Sequence, residues 1–186
     1  RLGGLADLFL LHDRDILIRC DDSVVRHNRN SHRTSFLRRA RGYTPGPVMT
    51  GRDLPTALGA GPELKATICL TKNDTAFVSQ HIGDLENLET AGFHAEIITH
   101  LQSILRVKPE VVVADLHPDY LSTRYALESG LPVLRLQHHF AHIHAALAEN
   151  RHWEPSLGLA LDGTGLGDDG TLWGGEGLFV DPARLE

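Results

Sequence analysis

Residues 110–150, "EVVVADLHPDYLSTRYALESGLPVLRLQHHFAHIHAALAEN", decide the fold. "EVVVADL" carries a continuous apolar run of the kind found in a strand buried on both faces. Pro118 then starts a helix that stops at Gly130, following the preference for proline at a helix start and glycine just past its end. "PVLRLQ" reads as a second strand, and the histidine-rich remainder as a second helix. Strand, helix, strand, helix with right-handed crossovers makes a mainly parallel sheet covered by helices.

Upstream, "LKATICLTKNDTAFVSQ" is two apolar, β-branched runs around Asn73 and Asp74, a β-hairpin signal that places an antiparallel edge on the sheet. Asp84 can cap a helix bearing Leu85, Leu88, Ala91, Ile97, Ile98, Leu101, Ile104 and Leu105 at helical spacing, ended by Pro109. Downstream, "LGLALDG" and "TLWGGEGLFV" read as two strands around a glycine-rich turn. The predicted order is ββαβαβαββ. The last two strands look like the start of a second half, so the chain reads as an internal fragment.

The N-terminal stretch differs in composition. Residues 1–52 hold ten Arg and five Asp, whereas residues 53–186 hold eight basic and nineteen acidic residues. Within the first part, Ile16 to Arg19, Ser23 to Arg26 and "SFLRRARGYTPGPV" suggest short strands, and Pro45, Gly46, Pro47, Gly51 and Pro55 then break the pattern. This predicts one unit over residues 1–48, a linker over 49–60 and a second unit over 61–186. An all-arginine basic unit suits either a small anionic ligand, through the planar guanidinium fork, or a solvated basic face.

The whole-chain net charge of -6 argues against a nucleic-acid or membrane-surface binder driven by bulk charge. Cys20 and Cys69 form no CxxC pair, which disfavours a disulfide framework and a thiolate zinc site and fits a reducing cytoplasm. Neither a signal segment nor an apolar run of membrane-spanning length is evident.

Four of the twelve histidines fall in "QHHFAHIHAALAEN". At about 100° per residue, His138 and His142 lie roughly 40° apart and one turn up, so they share a helix face. Phe140, Ile143 and Leu147 point elsewhere, which frees the pair from packing. Such a pair can place two nitrogens on a zinc or iron ion, or simply make surface hydrogen bonds. His139 and His144 are expected to make ordinary hydrogen bonds. Position 139 is His rather than Glu, which argues against a HExxH metalloprotease.

Asp162, at the end of the next strand, is the nearest carboxylate for a third ligand; its competing role is turn formation before Gly163. Asp115, His117 and Asp119 offer another set, but their setting beside Pro118 favours helix-start chemistry. The formal GxGxxG at Gly165, Gly167 and Gly170 does not read as a dinucleotide fingerprint, because a strand rather than a helix follows it. The turn either gathers backbone N–H groups around a phosphate or merely supplies positive φ.

Taken together, "DDSVVR", "RRARGYTPGP", "SQHIGDLENLET", "DLHPDYLSTRYA", "QHHFAHIHAALAEN" and "LDGTGLGDDGTLWGGE" resemble the HypF family of hydrogenase-maturation carbamoyltransferases, in the right order and over essentially the entire chain. The resemblance implies an α/β fold: the C-terminal end of a YrdC-like domain, then the first half of a Kae/TsaD-like domain of the actin-like ATPase superfamily. It implies that carbamoyl phosphate and ATP yield carbamoyl adenylate, and that the carbamoyl group passes to the C-terminal cysteine of the partner HypE. His138 and His142 match the family's metal-binding pair, with Asp162 near that metal or the nucleotide phosphates.

The same resemblance implies ATP as cofactor together with a divalent metal, zinc or iron, with magnesium accompanying the nucleotide. Gly163, Thr164 and Gly165 fall at the nucleotide, as do Ser23 and Arg26 on the YrdC-like strand, with Arg41 beside them. Phe140 stands where a third consecutive histidine is usual, and Leu166 where an aromatic is common. Two other readings remain: a noncatalytic metal-binding or docking fragment, and a related threonylcarbamoyl-adenylate enzyme acting on transfer RNA.

Overall fold

The computed structural model describes residues 2–183. Its centre is a mixed six-stranded sheet, built from β3 (Pro47–Met49), β4 (Ala57–Gly59), β5 (Cys69–Lys72), β6 (Thr75–Val78), β7 (Val111–Asp115) and β8 (Val133–Leu136). The strand order is β3-β6-β5-β4-β7-β8. β4, β7 and β8 are parallel, with Leu58 opposite Val112 and Val112 opposite Val133, while the β5–β6 hairpin and β3 complete an antiparallel side. Asn73 sits at the hairpin turn with φ 54°, a left-handed conformation that Asn tolerates better than most residues.

The hairpin formed by β1 (Val24–Asn28) and β2 (Arg33–Arg38) lies outside this sheet and is exposed along almost its whole length. Ile16 to Arg19 forms no strand. Arg19 instead pairs with Glu96 at 2.8 Å and stacks over Phe93, so side-chain contacts rather than ladder hydrogen bonds hold that segment. Ala57–Gly59, inside the Pro/Gly-rich stretch, becomes a strand of the central sheet; three residues are too few to show a period, and its partners β5 and β7 define it.

Helix α1 (Leu88–Leu105) buries His94, Ile97, Ile98 and Leu101, the i, i+3, i+4, i+7 stripe of an amphipathic helix. These side chains join Leu58, Ile68, Leu70 and Val112 in the main core. The helix starts later than Asp84. Asn87 is its cap, accepting from the Thr90 N–H, because the Asp84 carboxylate is committed to the Lys65 N–H at 2.7 Å. It ends at Arg106, whose left-handed backbone donates to the carbonyls of Gln102 and Ser103, three residues before Pro109.

Helix α2 (Leu121–Glu128) likewise starts after Pro118, and Glu63, remote in sequence, accepts from the Leu121 N–H at its N-terminus. Helix α3 (His138–Glu149) follows β8 directly. Its apolar side chains Phe140, Ile143 and Leu147 pack on Ala160, Leu178 and Val180, from the antiparallel pair β9 (Ser156–Ala160) and β12 (Glu176–Val180). Between these strands lies the small hairpin β10 (Gly165–Leu166) and β11 (Leu172–Trp173), confirming that the glycine turn precedes a strand. No helix among the described residues is long and apolar enough to cross a membrane.

Candidate metal centre

Parallel strands deliver their carboxyl ends to one edge of a sheet, and Asp115 reaches the α3 N-terminus in that way, whereas Asp162 comes from the separate antiparallel pair β9–β12. Asp115 is the last residue of β7, directly beside β8, from which α3 emerges. Asp162 stands two residues past the end of β9. The start of α3 is held by Gln137, whose side-chain carbonyl accepts from the N–H groups of His139 at 2.7 Å and Phe140 at 3.1 Å.

On this frame His138 and His142 converge, their Nε2 atoms 3.2 Å apart. Asp162 Oδ2 lies 3.1 Å from His138 Nε2 and 3.4 Å from His142 Nε2. Those three side chains can each offer one ligand atom within a single 4.8 Å group. His138 Nδ1 donates to Asp115 Oδ2 at 2.9 Å, and Asp115 Oδ1 accepts from the His117 N–H. That hydrogen bond raises the His138 pKa, outweighing the opposing effect of burial. Burial pushes Asp115 upward, but the bonds from His138 and the His117 N–H prevail and leave it below its ordinary value.

The donor set fits a cation. Both Asp162 carboxylate oxygens are buried without a hydrogen-bond partner in the protein. A buried carboxylate left unpaired costs on the order of several kcal/mol, which a bound cation offsets. With Nδ1 of His138 committed to Asp115, Nε2 of the neutral ring is a lone pair facing another acceptor, Asp162 Oδ2. Only a proton or a metal ion makes that approach favourable. Two imidazoles and one carboxylate, with no thiolate, suit zinc or iron.

Gly165 lets the loop approach: a Cβ there would lie 2.8 Å from His138 Cβ and 2.8 Å from His139 Cε1. Gly163 has open space where a Cβ would project, so its identity is not dictated by neighbours. From sequence, His139 is expected to make ordinary hydrogen bonds and Asp115 to serve helix-start chemistry. His139 is in fact fully buried, with Nε2 3.3 Å from Asp162 Oδ1 but not aligned as a hydrogen bond. Asp115 performs the turn role through Oδ1 and holds His138 through Oδ2. A carboxylate ending a strand buried on its alternate residues was the available signal for it.

The other predicted residues lie in the N-terminal unit. The Ser23 hydroxyl donates to the Arg41 carbonyl at 2.9 Å and accepts from the Ala40 N–H at 2.8 Å, so Ser23 and Arg41 come together. The Arg41 guanidinium donates to the Cys20 carbonyl and pairs with Asp22 at 3.5 Å. Arg26 is exposed on β1 opposite Ser35. Among the described contacts, none links these three to the histidines. Both cysteines are free, and burial pushes the Cys69 thiol up to about 11, which makes it a poor nucleophile.

A family model described as the HypF Kae1-like domain matches residues 52–149, the stretch that carries most of the mixed sheet together with Asp115, His138 and His142, so the architecture is Kae1-like. A second, described as the second subdomain of the carbamoyltransferase Kae1-like domain, matches residues 158–186. The chain belongs to the HypF carbamoyltransferase family. Carbamoyltransferase HypF2 of Cupriavidus necator is 54% identical over 97% of this chain and 23% of its own length.

A crystal structure of full-length HypF in a phosphate- and nucleotide-bound form superposes with a TM-score of 0.90 at 44% identity, over 97% of this chain and 29% of that one. HypF of T. kodakarensis gives 0.85 at 40% identity, over 97% and 24%. The chain thus spans about a quarter of the length of the curated relatives it matches.

Proposed function

We propose that this chain is the part of a cytoplasmic HypF-type carbamoyltransferase where two catalytic units join, residues 1–48 closing the YrdC-like unit and residues 61–186 opening the Kae-like one. The intact protein forms carbamoyl adenylate from carbamoyl phosphate, ATP and water with release of phosphate and pyrophosphate, then transfers the carbamoyl group to the thiol of the C-terminal cysteine of HypE with release of AMP. The observation that carries the reading is the convergence of His138, His142 and Asp162 on one point, with both Asp162 oxygens buried and unpaired.

His138, His142 and Asp162 would hold a divalent zinc or iron ion, which supplies Lewis-acid polarisation of phosphate oxygens when bound. Asp115 orients His138, and the turn Gly163, Thr164, Gly165 carries backbone N–H groups beside Asp162 of the kind a phosphate accepts. Arg26 and Arg41 supply positive charge for the anionic nucleotide in the first unit, with Ser23 fixing the Arg41 backbone. Carbamoyl adenylate is an activated mixed anhydride, so these groups serve to position it and stabilise its departing phosphate while water is kept out. Since neither Cys20 nor Cys69 is set up as a nucleophile, the attacking thiol belongs to the partner.

The test is carbamoyl-phosphate-dependent cleavage of ATP to AMP by the full-length protein under reducing, metal-replete conditions. The expected outcome is AMP formation that requires carbamoyl phosphate. Its absence overturns the carbamoyltransferase reading.

A further inference from the structure

His138 and His139 are adjacent, yet their hydrogen bonds demand opposite tautomers. Gln137, 3% exposed, fixes the tautomer of the second ring. Its Oε1 receives two backbone N–H groups, from His139 and Phe140, and a flipped amide would set NH2 against both donors. Nε2 is therefore the donor end. It meets the Leu166 carbonyl at 3.2 Å and His139 Nδ1 at 2.8 Å.

An amide NH2 donates only, so His139 Nδ1 accepts and the ring proton of neutral His139 resides on Nε2. That N–H faces Asp162 Oδ1 at 3.3 Å. His138 is the reverse: the Asp115 carboxylate only accepts, so the His138 proton is on Nδ1 and its Nε2 is a lone pair, directed at Asp162 Oδ2. The two oxygens of Asp162 thus meet unlike partners.

We infer that His139 is a positioning residue, locked by Gln137 as the Nε2–H tautomer, whose N–H faces the still unpaired Asp162 Oδ1 across 3.3 Å and closes on it as a hydrogen bond when Oδ2 takes the cation shared with His138 and His142. The inference rests on the metal reading proposed above. Outer hydrogen bonds of this kind orient ligating groups, and losing one typically weakens metal binding by roughly 10–100-fold. Trp173 stacks near the His139 ring, centroids 6.4 Å apart, and Gly165 closes over His139 Cε1, so the ring is packed from two sides and its orientation is set by the Gln137 amide.

Two measurements on the full-length protein test it. In metal-free protein at pH 8, selective carbon and nitrogen labelling of histidine reports tautomers by NMR, with His138→Ala and His139→Ala variants assigning the signals. The expected result is Nδ1–H for His138 and Nε2–H for His139. The same tautomer in both rings overturns the inference.

The second measurement is zinc affinity by chelator competition. Gln137→Glu keeps an oxygen on the α3 N–H groups but turns the other end into an acceptor, forcing the His139 proton onto Nδ1. Zinc binding should weaken by roughly tenfold or more, with helix content unchanged by circular dichroism. Adding His139→Gln, whose amide nitrogen replaces Nε2–H, should restore most of the affinity. Unchanged affinity in Gln137→Glu, or no recovery in the double variant, overturns the positioning role. A wild-type protein that shows the two tautomers but takes up no metal overturns the metal reading alone.

Discussion

Helices α1 and α3 each bury one histidine almost completely, His94 at 2% and His139 at 0% exposure, and the surroundings give the two rings different work. His94 Nε2 donates to the Ala60 carbonyl at 2.8 Å, and the ring meets Tyr125 edge-on among Ile97, Ile98 and Val112. Its polar demand is met by one backbone oxygen. His139 lies between Gln137 and Asp162, in a group where five side chains aim nitrogen or oxygen at one another. Burial of an imidazole is therefore no mark of function; convergence of several polar side chains around it is.

The two regions should separate cleanly under substitution. The largest effect is expected from His138→Ala with His142→Ala, which should abolish stoichiometric metal uptake measured by elemental analysis of the full-length protein; retained metal would break the distinction. Next, Ile98→Ala should remove about 2–5 kcal/mol of stability by opening a cavity under α1. Hydrogen exchange across α1 reads that loss, and metal stoichiometry of the folded protein should not change.

Gly158→Ala probes the seam between α3 and β9. A Cβ there would lie 2.5 Å from Ile143 Cδ1 and 2.6 Å from two further atoms of that side chain, so the Ile143 side chain must give way and push on the helix that carries it. A destabilisation of about 1–3 kcal/mol is expected, together with weaker zinc binding, because the displaced helix carries the histidines. Stability loss without any change in affinity would show the seam and the site to be independent.

The smallest effect is a titration. Burial lowers the His94 pKa from 6.5, with the bond to the Ala60 carbonyl acting in the opposite direction. A folded-state value below the unfolded one favours the neutral ring. The stability this contributes is full above 6.5 and is lost as pH falls from there towards the lower folded value. Histidine ring NMR should show His94 still neutral where exposed histidines have charged; an ordinary midpoint would mean the ring is less shielded than α1 implies.

Most of the central architecture was legible because its signals are local. The run at β7, the Asn73 turn and the helical spacing through Ile97, Ile98 and Leu101 each show within a few residues what the backbone does. Other elements carry no local signal. Ala57–Gly59 is a strand because β5 and β7 flank it, and Ile16 to Arg19 is not one because no strand pairs with it. The α1 boundary moved for a similar reason: Asp84 had the chemistry of a cap, but Lys65 claimed it.

By itself, the sequence determined the family, the α/β class and the i, i+4 placement of His138 and His142, since helical spacing follows from chain geometry alone. Only the tertiary structure decided that Asp115 and Asp162 arrive at that helix end, because each is carried there by a different strand. It also decided which nitrogen of His138 and His139 bears the proton. Identical side chains side by side differ only in what packs against them, and a carboxylate and an amide NH2 impose opposite answers.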